Sequence, residues 1–424
     1  MPAETTPKSA RALALDLLCE AEARGQYPNI ALDHALRRNP LSPADRALAT
    51  TLVYGVTERR MTLDAIIDRL AAREIEPRVR AILRLGLYQL RYLDRIPAHA
   101  AVNESVALAT RKSAGLVNAI LRAYGRRAGE FTFAAADAAS MAIAYSVAEP
   151  ICAAFIEAFG LARAESIIAA FGRIPPLTLR VNTLRVSRDE YLARLAEAGI
   201  EASPCAVPSG IRLAASMNPT LLPCFDDGDC FVQDEASQRC VAALDAQPGE
   251  LVLDLCACPG AKSFGAAIAM QNRGRVISSD LHANKLSLVA SGAERLGISI
   301  IETAARDARV PVDELIGRAD RVICDVPCSG LGVLGKKPDL RYKSLDDTSR
   351  LPAIQAAILE TAAGYVRPGG RLVYSTCTIL PAENEGVTAP FLAAHPEFAV
   401  AEERTLTPDV DGTDGFYYCA MVRV

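Results

Sequence analysis

Five short apolar segments in the second half of the chain constrain its fold more than any other feature. They are separated by helical or loop sequence of the length that a crossover between parallel strands needs. The segments are Leu251–Leu255, Arg275–Ser279, Ser299–Glu302, Arg321–Cys324 and Arg371–Tyr374. This alternation predicts an α/β domain over residues 229–424, built on a doubly wound parallel sheet whose ligands bind at the carboxyl ends of the strands.

The first third of the chain shows helical periodicity and no strand pattern. Apolar residues recur at helical spacing, as in Val79, Ile82, Leu83, Leu87, Leu90 and Leu93. Ser42 can cap a helix that begins at Pro43, with Asp45 in the favourable first turn. We therefore predict an all-helical domain over residues 1–135.

Residues 136–228 mix the two patterns. The segment Ala128–Ala139 is rich in small residues, which is typical of a boundary. After it we predict one helix over Glu149–Phe171 and short strands at Leu177–Val181 and Ile211–Leu213. These elements indicate a small α/β subdomain between the helical and the strand-rich parts.

Composition limits the environment of the protein. Half of the residues are hydrophobic, yet no run reaches the roughly 18 apolar residues of a membrane span. The N-terminus is polar rather than signal-like, so we expect a cytoplasmic protein, and we expect a monomer. The twelve cysteines are scattered through apolar segments, as reduced, buried thiols are. With four histidines and no paired Cys-x2-Cys motifs, we predict no metal site.

Charge is distributed unevenly along the chain. The formal net charge is −4, but residues 1–130 are basic and the remainder is acidic. A basic N-terminal part is compatible with nucleic-acid contact. An ordinary Arg-rich helical surface explains the charge equally well.

A tight turn follows the first predicted strand, at Asp254–Lys262. Asp280 closes the second strand, where a carboxylate can accept both hydroxyls of a ribose. The Gly-x-Gly-x-x-Gly pattern that brings a pyrophosphate close to the backbone is absent. S-adenosylmethionine, which carries a ribose and a sulfonium but no phosphate, therefore fits better than a dinucleotide. For the turn, the alternative is a strand-to-helix connection that binds no ligand. Asp307 follows the third strand, where an adenine contact is usual, and the alternative there is an ordinary surface aspartate.

Two cysteines follow the fourth and fifth predicted strands. Cys328 lies in Asp325–Gly330 and Cys377 ends Tyr374–Cys377. Loops at the carboxyl ends of neighbouring strands line one crevice, so both thiols are expected at one site. A thiolate that attacks carbon 6 of cytosine activates carbon 5 for methylation, and a group near N3, for which Asp325 is placed, assists. The alternative for either cysteine is a buried core thiol.

At these motifs the chain resembles the bacterial 16S ribosomal RNA cytosine-C5 methyltransferases of the Sun/Fmu (RsmB) type. Cys258 and Ala261 depart from the Ala and Gly of that family's first loop. The segments that carry the resemblance are Asp254–Ser263, Asp325–Gly330, Tyr374–Ile379, Lys337–Arg341, Glu383–Glu385 and Asp414–Phe416. Residues 1–135 resemble a NusB-type RNA-binding domain at Asp45–Ala47, Leu52–Val56, Val102–Val106 and Leu116–Arg122. The segments Pro176–Asn182 and Gln233–Ser237 resemble the part that precedes the family's catalytic core.

The resemblance implies a Rossmann-like class I methyltransferase domain and a role for each motif. Cys377 would be the nucleophile, Cys328 would assist product release, and Asp325 would contact N3 of the cytosine. S-adenosyl-L-methionine would be held by Cys256, Ala257, Cys258, Pro259, Gly260, Ala261, Lys262, Asp280, Asp307 and Asp325. RNA contacts would fall on Arg180 and Asn182. The NusB-like domain favours 16S rRNA in the small ribosomal subunit as the partner.

Two other functions remain open on the sequence. One is a cytosine-C5 methyltransferase that acts on tRNA or on another rRNA. The other is a non-catalytic RNA-binding assembly factor that keeps the fold. The second predicts the loss of one thiol or of Asp280, and both thiols and Asp280 are present.

Overall fold

The computed structural model describes residues 9–24, 28–173 and 176–424. Its helices are α1 (Ala10–Arg24), α2 (Pro28–Arg38), α3 (Pro43–Glu58), α4 (Arg60–Leu70), α5 (Pro77–Tyr92), α6 (Ala98–Ala107), α7 (Ala114–Arg127), α8 (Ala138–Tyr145), α9 (Glu149–Phe159), α10 (Leu161–Ala170), α11 (Arg188–Glu197), α12 (Glu235–Leu244), α13 (Ala261–Ala269), α14 (Leu286–Leu296), α15 (Leu351–Tyr365) and α16 (Glu385–Ala394). Its strands are β1 (Thr178–Val181), β2 (Ala202–Pro204), β3 (Gly210–Leu213), β4 (Cys230–Val232), β5 (Leu251–Asp254), β6 (Arg275–Asp280), β7 (Ile301–Ala305), β8 (Ala319–Asp325), β9 (Val366–Thr376), β10 (Phe398–Leu406) and β11 (Phe416–Arg423).

The described residues divide into two compact units. One unit runs through Glu165 and includes Lys337–Ser344; the other contains Ser166–Lys336 and Leu345–Val424. The first unit therefore extends past residue 135, because α8 packs on α4: the hydroxyl of Thr62 donates to the carbonyl of Ile143 (2.6 Å). The three-part division at 135 and 228 stays a prediction.

The helical unit confirms the helical pattern read from the sequence. Ser42 caps α3 by accepting the backbone N–H of Asp45, with proline at the start of the helix. Leu52, Ile66 and Leu83 are fully buried in one apolar core. The predicted single helix Glu149–Phe171 is wrong in one respect: it is two helices, α9 and α10. Gly160 separates them with φ +76°, a left-handed conformation that ends α9.

The second unit contains two sheets. The smaller one is antiparallel in the order β2-β3-β1-β4, and it confirms the strands predicted near 177–181 and 211–213. The larger one has seven strands in the order β10-β11-β9-β8-β5-β6-β7. Its five strands β5 to β9 are parallel and correspond to the five apolar segments, whereas β10 and β11 form an antiparallel edge that the sequence pattern did not predict.

The order of the large sheet reverses between β5 and β8, which places a crevice at the carboxyl ends of these two strands. One predicted strand is displaced along the chain: β7 begins at Ile301 rather than Ser299. The backbone N–H of Ser299 donates instead to Asn272 (3.0 Å), so this residue belongs to the preceding loop.

No single helix in the described ranges combines the length and the apolar character that crossing a membrane requires. The bent pair α8 and α9 meets that criterion together, on length and composition alone.

Candidate active site

The two predicted cysteines lie in contact. β8 and β9 are neighbours in the sheet, with Asp325 paired to Ser375 in parallel register. The loops that leave these strands therefore start side by side, and the sulfur atoms of Cys328 and Cys377 are 3.0 Å apart. The sheet brings together two thiols that are separated by 49 positions in the chain.

The surroundings of Cys328 oppose its ionisation. The hydrogen bond with Cys377, followed by burial, raises the pKa of Cys328 well above its ordinary value. Nearby carboxylates, Asp325 first, raise it further because they oppose a second negative charge. These influences favour the protonated form of Cys328.

A partly buried ion pair lies beside the thiols. Nζ of Lys262 is 2.6 Å from Oδ2 of Asp325, and the hydroxyl of Ser375 donates to Oδ1 of Asp325 (2.8 Å). Burial alone would lower the pKa of Lys262, but the charge of Asp325 outweighs burial and the pKa is raised. Nζ of Lys262 also lies 5.2 Å from the ring centre of Phe416. The sequence predicted Lys262 as a cofactor contact, and in the structure its ammonium is paired with the carboxylate of Asp325.

The turn between β5 and α13 is held by buried polar groups. Asp254 is fully buried and accepts the hydroxyl of Ser263 (2.7 Å). Burial raises the pKa of Asp254 to about 6. Gly260 has φ +114°, and a β-carbon there would overlap the ring of Phe264. The turn therefore needs glycine at this position, for conformation and for space.

Two further carboxylates follow β6 and β7. Asp280 accepts the backbone N–H groups of Cys258 (3.3 Å) and His282 (2.9 Å), which ties the turn to the end of β6. Both oxygens of Asp307 accept from Arg309, at 2.9 and 2.6 Å, and these bonds lower the pKa of Asp307 to about 2. Asp307 is thus charged at neutral pH, with its carboxylate engaged by Arg309.

The predicted cofactor residues lie at one edge of the sheet, where several carboxylates make the surroundings negative. Burial raises the pKa of Cys256, and the charges of Asp254, Asp325, Asp280 and Asp307 add to that effect. Four carboxylates around one position, with a turn that has no phosphate-binding glycine pattern, fit a cationic ligand that carries a ribose. The predicted residues present are therefore suited to S-adenosyl-L-methionine, and their individual contacts stay predictions.

The two residues predicted to contact RNA have different surroundings. Arg180 is buried, its Nη1 donates to Gln233 (3.3 Å), and its Nε has no hydrogen-bond partner among the described residues. Burial lowers its pKa to about 10. Asn182 is fully buried and donates to the carbonyls of Gly228 and Leu296, both at 2.9 Å. This arrangement gives Asn182 an internal structural role; its contact with RNA stays a prediction.

Glu383 and Asn384 lie directly behind the cysteine loops, and the sequence assigned them no role. Both are buried, at 3% and 0% exposure. Their motif was recognised only through the family resemblance. Charged and polar residues that follow a proline are typical of a solvent-exposed loop, so the only signal in the sequence was the motif itself.

Three family models match the chain. The model described as 16S rRNA methyltransferase RsmB/F matches residues 241–422, and the NusB family model matches residues 8–126. A third, described as the ferredoxin-like domain of Methyltr_RsmF/B-like proteins, matches residues 151–220. Together they match most of the helical region, three strands of the small sheet and the large sheet.

Several known proteins are similar over most of their length. A probable ribosomal RNA small subunit methyltransferase B of Synechocystis is 40% identical and covers 92% of this chain and 90% of its own. A probable ribosomal RNA small subunit methyltransferase B of Bacillus subtilis is 36% identical, covering 97% and 98%. Among solved structures, a methyltransferase homologue from Pyrococcus horikoshii is 26% identical, with a TM-score of 0.61, and covers 68% of this chain and 99% of its own.

Proposed function

Because this chain belongs to the 16S rRNA methyltransferase RsmB/F family, we propose that it methylates carbon 5 of a specific cytosine in 16S rRNA through a covalent adduct with Cys377. Membership makes the protein an RNA methyltransferase whose cofactor is S-adenosyl-L-methionine. What we propose beyond family membership is that the base is cytosine, that the methylated atom is carbon 5 and that the reaction passes through a covalent adduct. The observation that carries it is the pair of thiols 3.0 Å apart beside the ion pair of Lys262 and Asp325.

The first step of the proposed reaction is the attack of Cys377. Its thiolate adds to carbon 6 of the cytosine. The electron pair of the double bond between carbons 5 and 6 shifts within the ring and makes carbon 5 nucleophilic. The attack places negative charge on N3, which takes up a proton from solvent and returns it when the ring double bond is restored. Asp325 would accept the N3–H, and the ammonium of Lys262 balances the charge of Asp325. S-adenosyl-L-methionine supplies the methyl group, which it carries on a positively charged sulfur.

The second step is the release of the product. Carbon 5 loses its proton to the thiolate of Cys328, which has first lost its own proton to solvent. The electron pair restores the ring double bond and the bond between carbon 6 and Cys377 breaks. The contact with Cys377 is the largest influence that raises the pKa of Cys328. In the adduct the sulfur of Cys377 is an uncharged thioether, which weakens that influence and favours the ionisation of Cys328.

Substrate binding is assigned to the basic helical part and to the small sheet. Arg180 is a buried cation without a carboxylate partner among the described residues, and a phosphate of the RNA would supply the missing charge. The NusB family match supports ribosomal RNA as the partner. We place the enzyme in the cytoplasm with its substrate.

Methylation of protein-free small-subunit rRNA tests the proposal. The wild-type protein is incubated with this RNA and S-adenosyl-L-methionine labelled in the methyl group, and 5-methylcytosine is then mapped. We expect one labelled cytosine in the wild type and none in Cys377→Ala. Cys328→Ala should accumulate a covalent protein–RNA adduct that survives denaturing electrophoresis. Cys19→Ala, which removes a partly buried thiol of the helical unit, is the matched control and should behave as wild type.

Several outcomes would contradict the proposal. Full activity of Cys377→Ala would remove the nucleophile, and normal turnover of Cys328→Ala would remove its role in release. Label on tRNA in place of small-subunit rRNA would keep the chemistry and change the substrate. A wild-type protein that labels no RNA would favour a non-catalytic assembly factor.

A further inference from the structure

Glu383 holds the loop of Cys328 from both sides. Its Oε2 accepts the backbone N–H of Ser329 (2.9 Å) and the side-chain amide of Gln355 (2.9 Å). The same amide of Gln355 donates to the carbonyl of Pro327 (3.0 Å). The residues immediately before and after Cys328 are thus both fixed to one buried carboxylate and its hydrogen-bonded partner.

Asn384 holds the loop of Cys377 in the same manner. Its Oδ1 accepts the hydroxyl of Thr376 (2.6 Å), and its Nδ2 donates to the carbonyl of Thr378 (3.2 Å). Asn384, Thr376 and Thr378 are all fully buried. The residues before and after Cys377 therefore share a single side chain as their anchor.

The two arrangements are linked to each other. The hydroxyl of Ser329 donates to that of Thr378 (3.0 Å), which joins the two cysteine loops directly. The hydroxyl of Tyr374 donates to the backbone carbonyl of Glu383 (2.6 Å), which ties the pair to β9. Because the groups that form these two bonds are buried, each lost partner leaves an unsatisfied polar atom, and the loops would have to move to relieve it.

We propose that Glu383 and Asn384 are positioning residues that divide the two catalytic steps between them, Glu383 aligning Cys328 for product release and Asn384 aligning Cys377 for attack. The inference rests on the proposed function, since it assigns a separate step to each thiol. It follows from geometry: one residue flanks one thiol, and the next residue in the chain flanks the other. A displacement of about 1 Å at a reacting group can reduce a rate by about a hundredfold.

The test measures the two steps separately in Glu383→Ala and Asn384→Ala. Protein is mixed with end-labelled small-subunit rRNA and S-adenosyl-L-methionine, and adduct and methylated product are followed by rapid quenching. Glu383→Ala should form adduct at the wild-type rate but release product at least about tenfold more slowly, so that adduct accumulates. Asn384→Ala should form adduct about tenfold or more slowly and accumulate none.

Conservative variants separate positioning from charge and from folding. Glu383→Gln keeps a carbonyl oxygen that can accept from Ser329 and Gln355, and it should restore release. Asn384→Asp keeps the acceptor for Thr376 but loses the donor to Thr378, and it should stay slow in attack. The release rate of adduct already formed is a first-order constant, so a smaller folded fraction does not change it. If Glu383→Ala does not fold, Gln355→Ala, which removes the donor shared by Pro327 and Glu383, should slow release and carries the test of the Cys328 loop, as Asn384→Asp does for the Cys377 loop.

Three results would overturn the inference. Normal release in Glu383→Ala would do so, as would accumulation of adduct in Asn384→Ala or in Glu383→Gln. Cys328→Ala, run in parallel, distinguishes the failure of the inference from the failure of the proposed function. If Cys328→Ala traps adduct and the Glu383 variant does not, only the positioning role is wrong; if neither the wild type nor Cys328→Ala reacts with RNA, the covalent mechanism is wrong.

Discussion

The ion pair of Lys262 and Asp325 allows a quantitative prediction about the stability of the catalytic unit. The two charged atoms are 2.6 Å apart, and the side chains are 11% and 30% exposed. Lys262→Met keeps most of the apolar side chain and removes the cation. Among the described residues, Asp325 then keeps the hydrogen bond from the hydroxyl of Ser375. Removing one member of a buried pair costs roughly 3–5 kcal/mol.

The expected loss lies at the lower end of that range. Asp325 is almost one-third exposed, so water compensates part of its charge, and we expect unfolding of the unit to cost about 3 kcal/mol less in Lys262→Met. The double variant Lys262→Met with Asp325→Asn removes both charges. It should recover about 2 kcal/mol of this loss, because no unpaired charge remains.

Hydrogen exchange measured at increasing urea concentrations is the appropriate assay. The chain forms two compact units, so a single global transition need not describe its unfolding. Peptides from β8 report on the catalytic unit, and peptides from α5 report on the helical unit and serve as the internal control. Unchanged exchange in β8 of Lys262→Met would refute the reasoning, as would a double variant whose loss equals or exceeds the sum of the two single losses.

Further predictions follow from other buried groups. Because burial raises the pKa of Asp254 from 3.8 to about 6, its contribution is most favourable below pH 3.8 and is lost as the pH rises through 6, at a cost of about 3 kcal/mol. Asp254→Asn should therefore raise the unfolding temperature more at pH 8 than at pH 5, and the opposite order would contradict this. A β-carbon at Gly332 would overlap the carbonyl of Gly415 and lie 2.8 Å from that of Cys377. Gly332→Ala should reduce methyl transfer by about a hundredfold, whereas Gly335→Ala, whose β-carbon has its nearest contact at 3.3 Å, is the control and should lose much less. Asn182→Ala leaves two carbonyls without their donor and should destabilise the protein by about 2 kcal/mol; weaker RNA binding at unchanged stability would instead support the predicted RNA contact.

Much of the fold could be predicted because its signals are local. The parallel strands β5, β6, β8 and β9 are largely buried and appear as short apolar runs, and the cap of α3 is contained in a few adjacent residues. The antiparallel pair β10 and β11 was missed. β10 is mostly exposed and contains the charged run Glu402–Arg404, so its place in the sheet depends on pairing with β11 rather than on its own pattern.

The candidate site shows the same division. The motifs located Cys328, Cys377 and Asp325 at strand ends, because loops after parallel strands meet at one edge of a sheet. The sequence by itself thus determined which chemical groups are present and which edge they occupy.

The tertiary structure decided how those groups are paired. Lys262 is 63 positions from Asp325, and Glu383 is 54 positions from Ser329. Contacts at such separations depend on sheet register and on burial, which are properties of the folded chain. Glu383 accepts hydrogen bonds from protein groups rather than from water because the fold buries it. The two thiols are in contact because β8 and β9 are neighbours in the sheet.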